Sequence, residues 1–434
     1  DGSGRVRDVT FSPDGSWLLY VLIDAHWTRI LYGVDLTADP LEPVRLSQAA
    51  PEGSDDEVGF YKTTADSERV VYLYGSRRNY SLFTVTLSAT PGAPQILHAP
   101  STRRNRGVSD EQPFVLLSPD GTKAAYLARH DNLDSDRDYE RSLYVADLTD
   151  VGTAYRVSGD LAGGQGWAYP GYHFSADSQR LFYVASEETK TDGTPVRGLY
   201  MTDVSNFTSI PAPERLSAAP DAMFGRVQWR SVQLCDNDAG IVYVAEEQEG
   251  IYELFFVDLS GESPQPRVSV SAGSEADRRS VALASDCSKI AFAAEDTVAG
   301  SSDSAGFQPY LARVADLGDT DYSPTPIHGA LQMGEGIVSY RGQPMRFTPN
   351  GAYILYRLTD ADDTTRLFGA PADPLGAPQQ LTDALGAEDE VGRYGVTPDE
   401  QALVFELTVE SVPEGAGDSI QYVDISSWPP AAPQ

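Results

Sequence analysis

Five histidines (His26, His98, His130, His173, His328), two cysteines (Cys235, Cys287) and a run of alternating carboxylates are the residues here whose types could do chemistry. A zinc centre draws on nitrogen and sulfur ligands, often spaced as His-Glu-x-x-His or Cys-x-x-Cys, and neither spacing occurs. Asp134, Asp136 and Asp138, within residues 131–138, could hold Ca²⁺ through their oxygens. That stretch lacks the glycine and closing glutamate of an EF-hand loop, so a solvated acidic insert is the plainer reading. The same holds for Asp360-Ala361-Asp362-Asp363. A Gly-x-Ser-x-Gly nucleophile elbow is absent, and no catalytic residue is assigned. Apart from that Ca²⁺ candidate, no cofactor is expected.

The elements that must position these residues follow a repeat. A short aromatic-rich strand runs into a Pro/Asp/Gly-type turn and back out into an apolar run. Clear copies are Phe11-Ser12-Pro13-Asp14-Gly15, Leu117-Ser118-Pro119-Asp120-Gly121 and Phe347-Thr348-Pro349-Asn350-Gly351; weaker ones centre on Asp66, Asp177, Asn237, Asp286 and Asp399. Centres lie roughly 50 to 64 residues apart, the period of a propeller or array. Proline sets φ for the first corner, Asp or Asn caps the turn, and glycine tolerates positive φ. The apolar runs that follow, such as Val70 to Tyr74 and Leu181 to Ala185, do not alternate, which marks strands buried on both faces. A third strand ends in an Asp-Leu-Thr type stop (Val34-Asp35-Leu36-Thr37, Ala146-Asp147-Leu148-Thr149), and a Pro-bearing connector leads to a short fourth.

Four antiparallel strands repeated radially predict an all-β fold, one eight-bladed β-propeller domain spanning 1–434. The expected blades are 5–47, 57–98, 113–158, 171–217, 226–270, 279–328, 344–382 and 392–427. The prolines of Trp428-Pro429-Pro430-Ala431-Ala432-Pro433 cannot supply ladder donors, so the last blade is expected to have three strands. Closure is then expected by face packing of the first blade on the eighth.

Cys235 and Cys287 fall at matched first turns of consecutive blades in an otherwise cysteine-free chain. This reads as a disulfide of an oxidising compartment, against the alternative of two unrelated buried thiols. A Cα separation well above about 7 Å would exclude the bridge.

Acidic residues number 64 against 32 basic, a net charge of −32, and only four of the basic residues are lysines. Such a balance opposes sequence-independent nucleic-acid binding, which needs clustered cations. A solubilising surface, adaptation to salt and docking on a basic partner all fit. On the blade scheme the histidines, Arg77-Arg78, Arg103-Arg104-Arg106, Arg226, Arg341 and Arg393 fall towards the face opposite the Pro-Asp-Gly turns. Trp27, Trp167, Tyr169, Tyr172 and Tyr340 join them. Candidate partner-binding residues at this channel mouth are Arg103, Arg104, Trp167, Tyr172, His173, Arg226, Arg341 and Arg393, suited to an anionic or peptide ligand. The competing reading is that loops simply carry polar residues.

Phe-Ser-Pro-Asp-Gly followed by an apolar run ending in Tyr resembles the TolB-like propeller repeat of bacterial envelope proteins, also found in propellers of prolyl oligopeptidase-type peptidases. The likeness spans nearly the whole chain; Leu234-Cys235-Asp236-Asn237-Asp238 departs most. TolB pairs a six-bladed propeller with a small N-terminal α/β domain, whereas eight blades and no such domain are expected here. The resemblance implies a periplasmic or cell-surface location, a signal peptide already removed, and a role in binding protein or peptide.

Two classes of function follow. One is a non-catalytic binding or scaffold propeller engaging a protein or peptide partner, an envelope lipoprotein or a larger cell-envelope assembly. The other is a channel-sited enzyme such as a metal-dependent polysaccharide lyase, which needs His98, His130, His173 and His328 to converge. No window is apolar enough to span a membrane.

Overall fold

The computed structural model describes residues 4–424 except 52, 77–78, 99–107, 109–114, 132–138, 151, 159–166, 190–192, 194, 208, 219–225, 249, 262, 296–306, 330, 332–334, 338–343, 360–363, 383–388, 398–401 and 410–418. Strands dominate, arranged in eight antiparallel sheets in chain order: 5–45, 57–98, 116–156, 168–215, 233–269, 276–326, 336–380 and 389–424. We number them one to eight. The chain divides into two compact units, Asp1–Asp221 and Ala222–Gln434, each carrying four sheets.

Every sheet is a meander, each strand pairing with its neighbours in sequence. Sheet eight has three strands among the described residues; the proline-rich tail lies outside them. Sheet seven counts five because its first strand is split into Gly336–Ile337 and Met345–Phe347, both paired with the second.

Within each unit, consecutive sheets pack face to face. One apolar cluster joins Leu19, Leu31, Val70 and Tyr72 of sheets one and two, and another joins Leu127, Val145, Leu181 and Tyr183 of sheets three and four. In the second unit, Val242, Val244, Ile290 and Phe292 join sheets five and six. This is why the second strands read as unbroken apolar runs: both faces of Val70 to Tyr74 and Leu181 to Ala185 are covered. Sheet one is less covered among the described residues. Its second strand alternates, and Phe11 of its first strand is 61% exposed. Ile420 in sheet eight is 80% exposed.

A cross-strand aromatic pair marks the second and third strands of sheets one to seven. Tyr20–Tyr32, Tyr72–Phe83, Tyr126–Tyr144, Tyr183–Tyr200, Tyr243–Phe255, Phe292–Tyr310 and Tyr356–Phe368 are directly opposed, with centroids 5.6 to 5.9 Å apart. Each such pair contributes about 0.5–1.5 kcal/mol beyond area burial. Phe405 of sheet eight instead faces Gln421 in register, so the ladder ends there.

The first turns repeat bond for bond. The amides of Ser12, Thr64, Ser118, Ser175, Cys235, Ala284, Thr348 and Thr397 all donate to a carbonyl five residues on. The third turn residue is left-handed in sheets one to seven: Gly15, Ser67, Gly121, Ser178, Asp238, Cys287 and Gly351. Glycine adopts this conformation freely; the other side chains do so at a cost. Three of the non-glycine residues meet a neighbouring sheet there. Ser67 Oγ accepts the Asp14 amide (3.1 Å), Ser178 Oγ accepts the Asp120 amide (3.0 Å), and Cys287 forms a disulfide with Cys235. The Cα atoms of that bridge are 5.4 Å apart, so the sequence expectation holds.

Candidate functional site

A sheet has two ends, and in this protein they are built differently. At the turn end, the capping carboxylates are engaged by their own turns. Asp120 accepts the Ser118 hydroxyl (2.6 Å), the Thr122 amide (2.9 Å) and the Thr122 hydroxyl (2.8 Å), and Asp14 has the same set of partners. Burial would raise the Asp120 carboxyl, but these bonds and Lys123 prevail and hold it at about 2. Third strands finish at this end too, where Asp35 and Asp147 each cap a threonine amide and hydroxyl.

At the other end, every first strand is interrupted. In sheet one, Asp8 and Val9 stand opposite Tyr20 alone, and in sheet two Gly59 is the extra residue. Tyr169, Pro170 and Gly171 oppose Val184; Asp277 to Ser280 oppose Ala293; Gly392 and Arg393 oppose Glu406. In sheet five the strand breaks into a single 3₁₀ turn at Trp229–Ser231, between the Val227–Ala245 bridge and Gln233. Sheet three is entered through a Val108–Ala128 bridge, and Val108 also pairs with Tyr80 of sheet two. A bulge leaves backbone groups unpaired and re-aims the side chains it carries.

Buried arginines satisfy part of that backbone. Arg141, 3% exposed in sheet three, donates from Nε to the Ala168 carbonyl (2.9 Å) beside the bulge of sheet four. Arg357 of sheet seven, 1% exposed, donates from Nη1 to the Gly392 carbonyl (2.9 Å) in the bulge of sheet eight.

The candidate residues fall as follows. Arg226 is exposed just before the Val227 bridge, its carbonyl accepting the Glu246 amide (3.2 Å). Arg393 is exposed within the sheet-eight bulge and lines a shallow apolar hollow of about 610 Å³ with Tyr394, Val396, Phe405 and Ile420. Trp167 is half-buried, with the Arg141 guanidinium 4.9 Å above its ring. Tyr172 is 2% exposed, in the core between sheets three and four. The first strand of sheet four begins at Ala168 and not at His173. His173 therefore lies one residue from the strand's turn-side limit, which corrects its expected place at the opposite end. Arg103, Arg104 and Arg341, and the Ca²⁺ candidates Asp134, Asp136 and Asp138, lie outside the described residues.

Two histidines have structural work that the sequence reading missed. His98 Nδ1 is 3.0 Å from the Tyr126 hydroxyl of sheet three, and His328 Nδ1 is 2.8 Å from the Tyr356 hydroxyl of sheet seven. Other sheets carry Ser47, Ser158, Ser217, Ser271 or Thr382 at that position, each accepting a third-strand leucine amide through its hydroxyl. Aligning Leu46-Ser47 with Leu97-His98 and Ile327-His328 carries this signal in sequence. Burial lowers the His328 imidazole, which favours its neutral form. His26 is exposed in the hairpin after the second strand of sheet one, its amide held by Asp24 (2.9 Å). His130 lies within the second strand of sheet three, not after it. Among the described residues, no three His, Cys, Asp or Glu side chains come together as metal ligands.

Sequence reasoning also missed a group of cations. Between sheets five and six lies a cleft of about 390 Å³ lined by Gln228, Trp229, Arg230, Asp277, Arg278 and Arg279. The three arginines are exposed, and the two interruptions just described carry all six residues. A second cleft, of about 910 Å³ in the first unit, is bordered by His26, Asp55, Glu57 and Trp27, whose indole is 70% exposed on a left-handed backbone.

No family model and no curated protein sequence matches the chain. Solved structures do resemble it. A eukaryotic initiation factor aligns at 13% identity with a TM-score of 0.51, covering 98% of this chain and 87% of its own. A puromycin-hydrolysing peptidase from Mycobacterium tuberculosis aligns at 12% identity and TM-score 0.41, covering 95% of this chain. This chain spans 60% of that peptidase's length. A protein described as TolB from Agrobacterium tumefaciens aligns at 15% identity and TM-score 0.31 over 62% of this chain and 83% of its own. At these identities the likeness concerns fold alone.

Proposed function

We propose that this chain is a non-catalytic binding propeller of an extracytoplasmic compartment, engaging a protein or peptide partner through the interrupted ends of its first strands. The observation that carries this reading is the contrast between the ends of each sheet. Turn-end carboxylates are engaged by their own turns, whereas Arg226 and Arg393 stand exposed at the other end with no ion pair among the described residues. In a chain of net charge −32, guanidinium groups left without carboxylates are available to an anionic group from elsewhere. The Cys235–Cys287 disulfide supports an oxidising location. In this reading the eight sheets form one TolB-like ring, closed by the first sheet packing on the eighth. The half-covered faces bearing Phe11 and Ile420 are the apolar surfaces such packing would bury.

The lyase alternative loses support because His98 and His328 are each engaged by a tyrosine. The test is affinity capture from the native organism with the wild-type chain and a variant carrying Arg226→Ala, Arg341→Ala and Arg393→Ala. Loss of a specific partner with the variant is expected. Unchanged capture would move the interface to the outer strands, and capture of nothing by wild type would sink the binding role.

A further inference from the structure

We propose that the cleft between sheets five and six is a carboxylate-binding pocket for an acidic segment of a peptide partner. This deepens the binding reading and rests on it. Four observations converge. Arg230, Arg278 and Arg279 come from interruptions in two adjacent first strands, so sheet packing, not local sequence, gathers them. None of the three forms an ion pair among the described residues, although acidic residues outnumber basic ones two to one.

Two of them lie against aromatic faces, and Arg278 also feels the Glu275 carboxylate, though not at ion-pair distance. Arg230 lies 4.6 Å from the Trp229 ring centre and Arg278 lies 4.2 Å from that of Tyr252. Stacking fixes the plane of a guanidinium while leaving its N–H edge free to donate. The floor is rigid: Asp277 is buried, accepts the Ser280 hydroxyl and the Arg279 amide (3.3 Å), and Gln233 ties the two sheets through the Val281 carbonyl (2.7 Å). Through these bonds Asp277 sets the backbone of the bulge, and with three arginines against one carboxylate the lining keeps a net positive charge.

Planar forks of this kind match carboxylates two bonds at a time. Phosphate shares that geometry, and competition by phosphate in the test below separates the two sources. The Gln228 amide and the Trp229 ring supply the hydrogen bond and flat apolar contact that a peptide backbone needs. The cleft holds a side chain or two, not a folded domain.

The test uses tetraglutamate and tetraglutamine peptides, C-amidated and carrying fluorescein on the N-terminal amine, titrated by anisotropy against the full chain. Saturable binding of tetraglutamate alone is expected, weakened at least tenfold by Arg230→Ala and by the Arg278→Ala/Arg279→Ala pair. The Arg230→Lys and Arg278→Lys variants keep the charge without the fork and should recover only part of the loss. Circular dichroism of these exposed-site variants reports whether the fold is kept. Equal binding of tetraglutamine, or arginine variants that are folded and bind normally, overturns the proposal. So does displacement by inorganic phosphate at concentrations matching the peptide. Capture of a native partner without tetraglutamate binding would overturn the pocket and leave the binding role standing. The reverse pattern would keep the pocket and sink the partner.

Discussion

The Asp120 turn and the Asp277 bulge each centre on one aspartate in a first-strand segment, yet they teach opposite lessons. Around Asp120 every polar group finds its partner within a few residues, and the next sheet adds only the Ser178 hydroxyl. Around Asp277 the residues sit opposite Ala293 alone, and two neighbouring arginines have no carboxylate at ion-pair distance among the described residues. The first end is a local structure that repeats, because its bonds close inside a five-residue loop. The second varies from sheet to sheet, because an interrupted strand settles its bonds with whatever packs beside it. Stability should therefore concentrate at the turn ends and specificity at the interrupted ones.

Breaking the turn end at its one covalent link tests this most severely. Replacing Cys235 by Ala and Cys287 by Gly removes the bridge while leaving a residue that accepts the left-handed backbone of position 287. With a sequence separation of 52, loop-closure entropy implies a loss of about 4 kcal/mol, and the guanidinium midpoint of the unfolding that includes sheets five and six should fall. Peptide binding at the cleft, at the other end of the same two sheets, should survive at temperatures where the variant is folded. Equal midpoints with and without reductant in wild type would show the bridge to be energetically idle.

The interrupted end is not free of structural duty, and Arg357 sharpens the comparison there. Arg357→Met keeps most of the apolar stem but removes the donor to the Gly392 carbonyl. Leaving a buried carbonyl without its charged donor should cost about 2–3 kcal/mol. Calorimetry should show a lower Tm for this variant, whereas Arg393→Ala, one residue past that carbonyl and exposed, should leave the Tm within error. If both variants unfold together at the wild-type temperature, the buried arginine is not what holds the bulge.

What could be read from sequence divides along the same line. The turns were legible because Phe-Ser-Pro-Asp-Gly encodes a conformation locally. Cys235 and Cys287 could be paired because the repeat put them at matched turns. The interruptions were not legible. Nothing in Ala276-Asp277-Arg278-Arg279-Ser280 announces a bulge, since the register that creates it belongs to the pairing with residues 292–294. For the same reason Arg230, Arg278 and Arg279 escaped notice while Arg226, near a strand start, did not. His98 and His328 looked like chemistry because histidine is rare here; their equivalence to Ser47 lies in the short Leu/Ile-x pairs that end the fourth strands, a signal too brief to stand out before the strands are aligned.

The smallest expected effect is the most diagnostic of turn-end chemistry. Asp120 has its carboxyl lowered from 3.8 to about 2 in the folded chain. A carboxyl depressed by folding contributes stability that is complete above its unfolded value, near pH 4, and is lost as pH falls towards 2. Much of Asp120 faces solvent, so screening should leave its share at about 1 kcal/mol or less. Asp120→Asn keeps an acceptor for the Thr122 amide, much as Asn350 does for Ala352 in sheet seven, but cannot titrate. The variant should therefore be slightly less stable than wild type at pH 7 and close to it at pH 2, with the gap closing between pH 4 and 2. A gap that stays constant across that window would mean that the turn draws on the geometry of Asp120 and not on its charge. The saturation that separates the two ends of the sheet would then be steric in origin, and the lowered carboxyl a consequence of the turn and no part of what holds it.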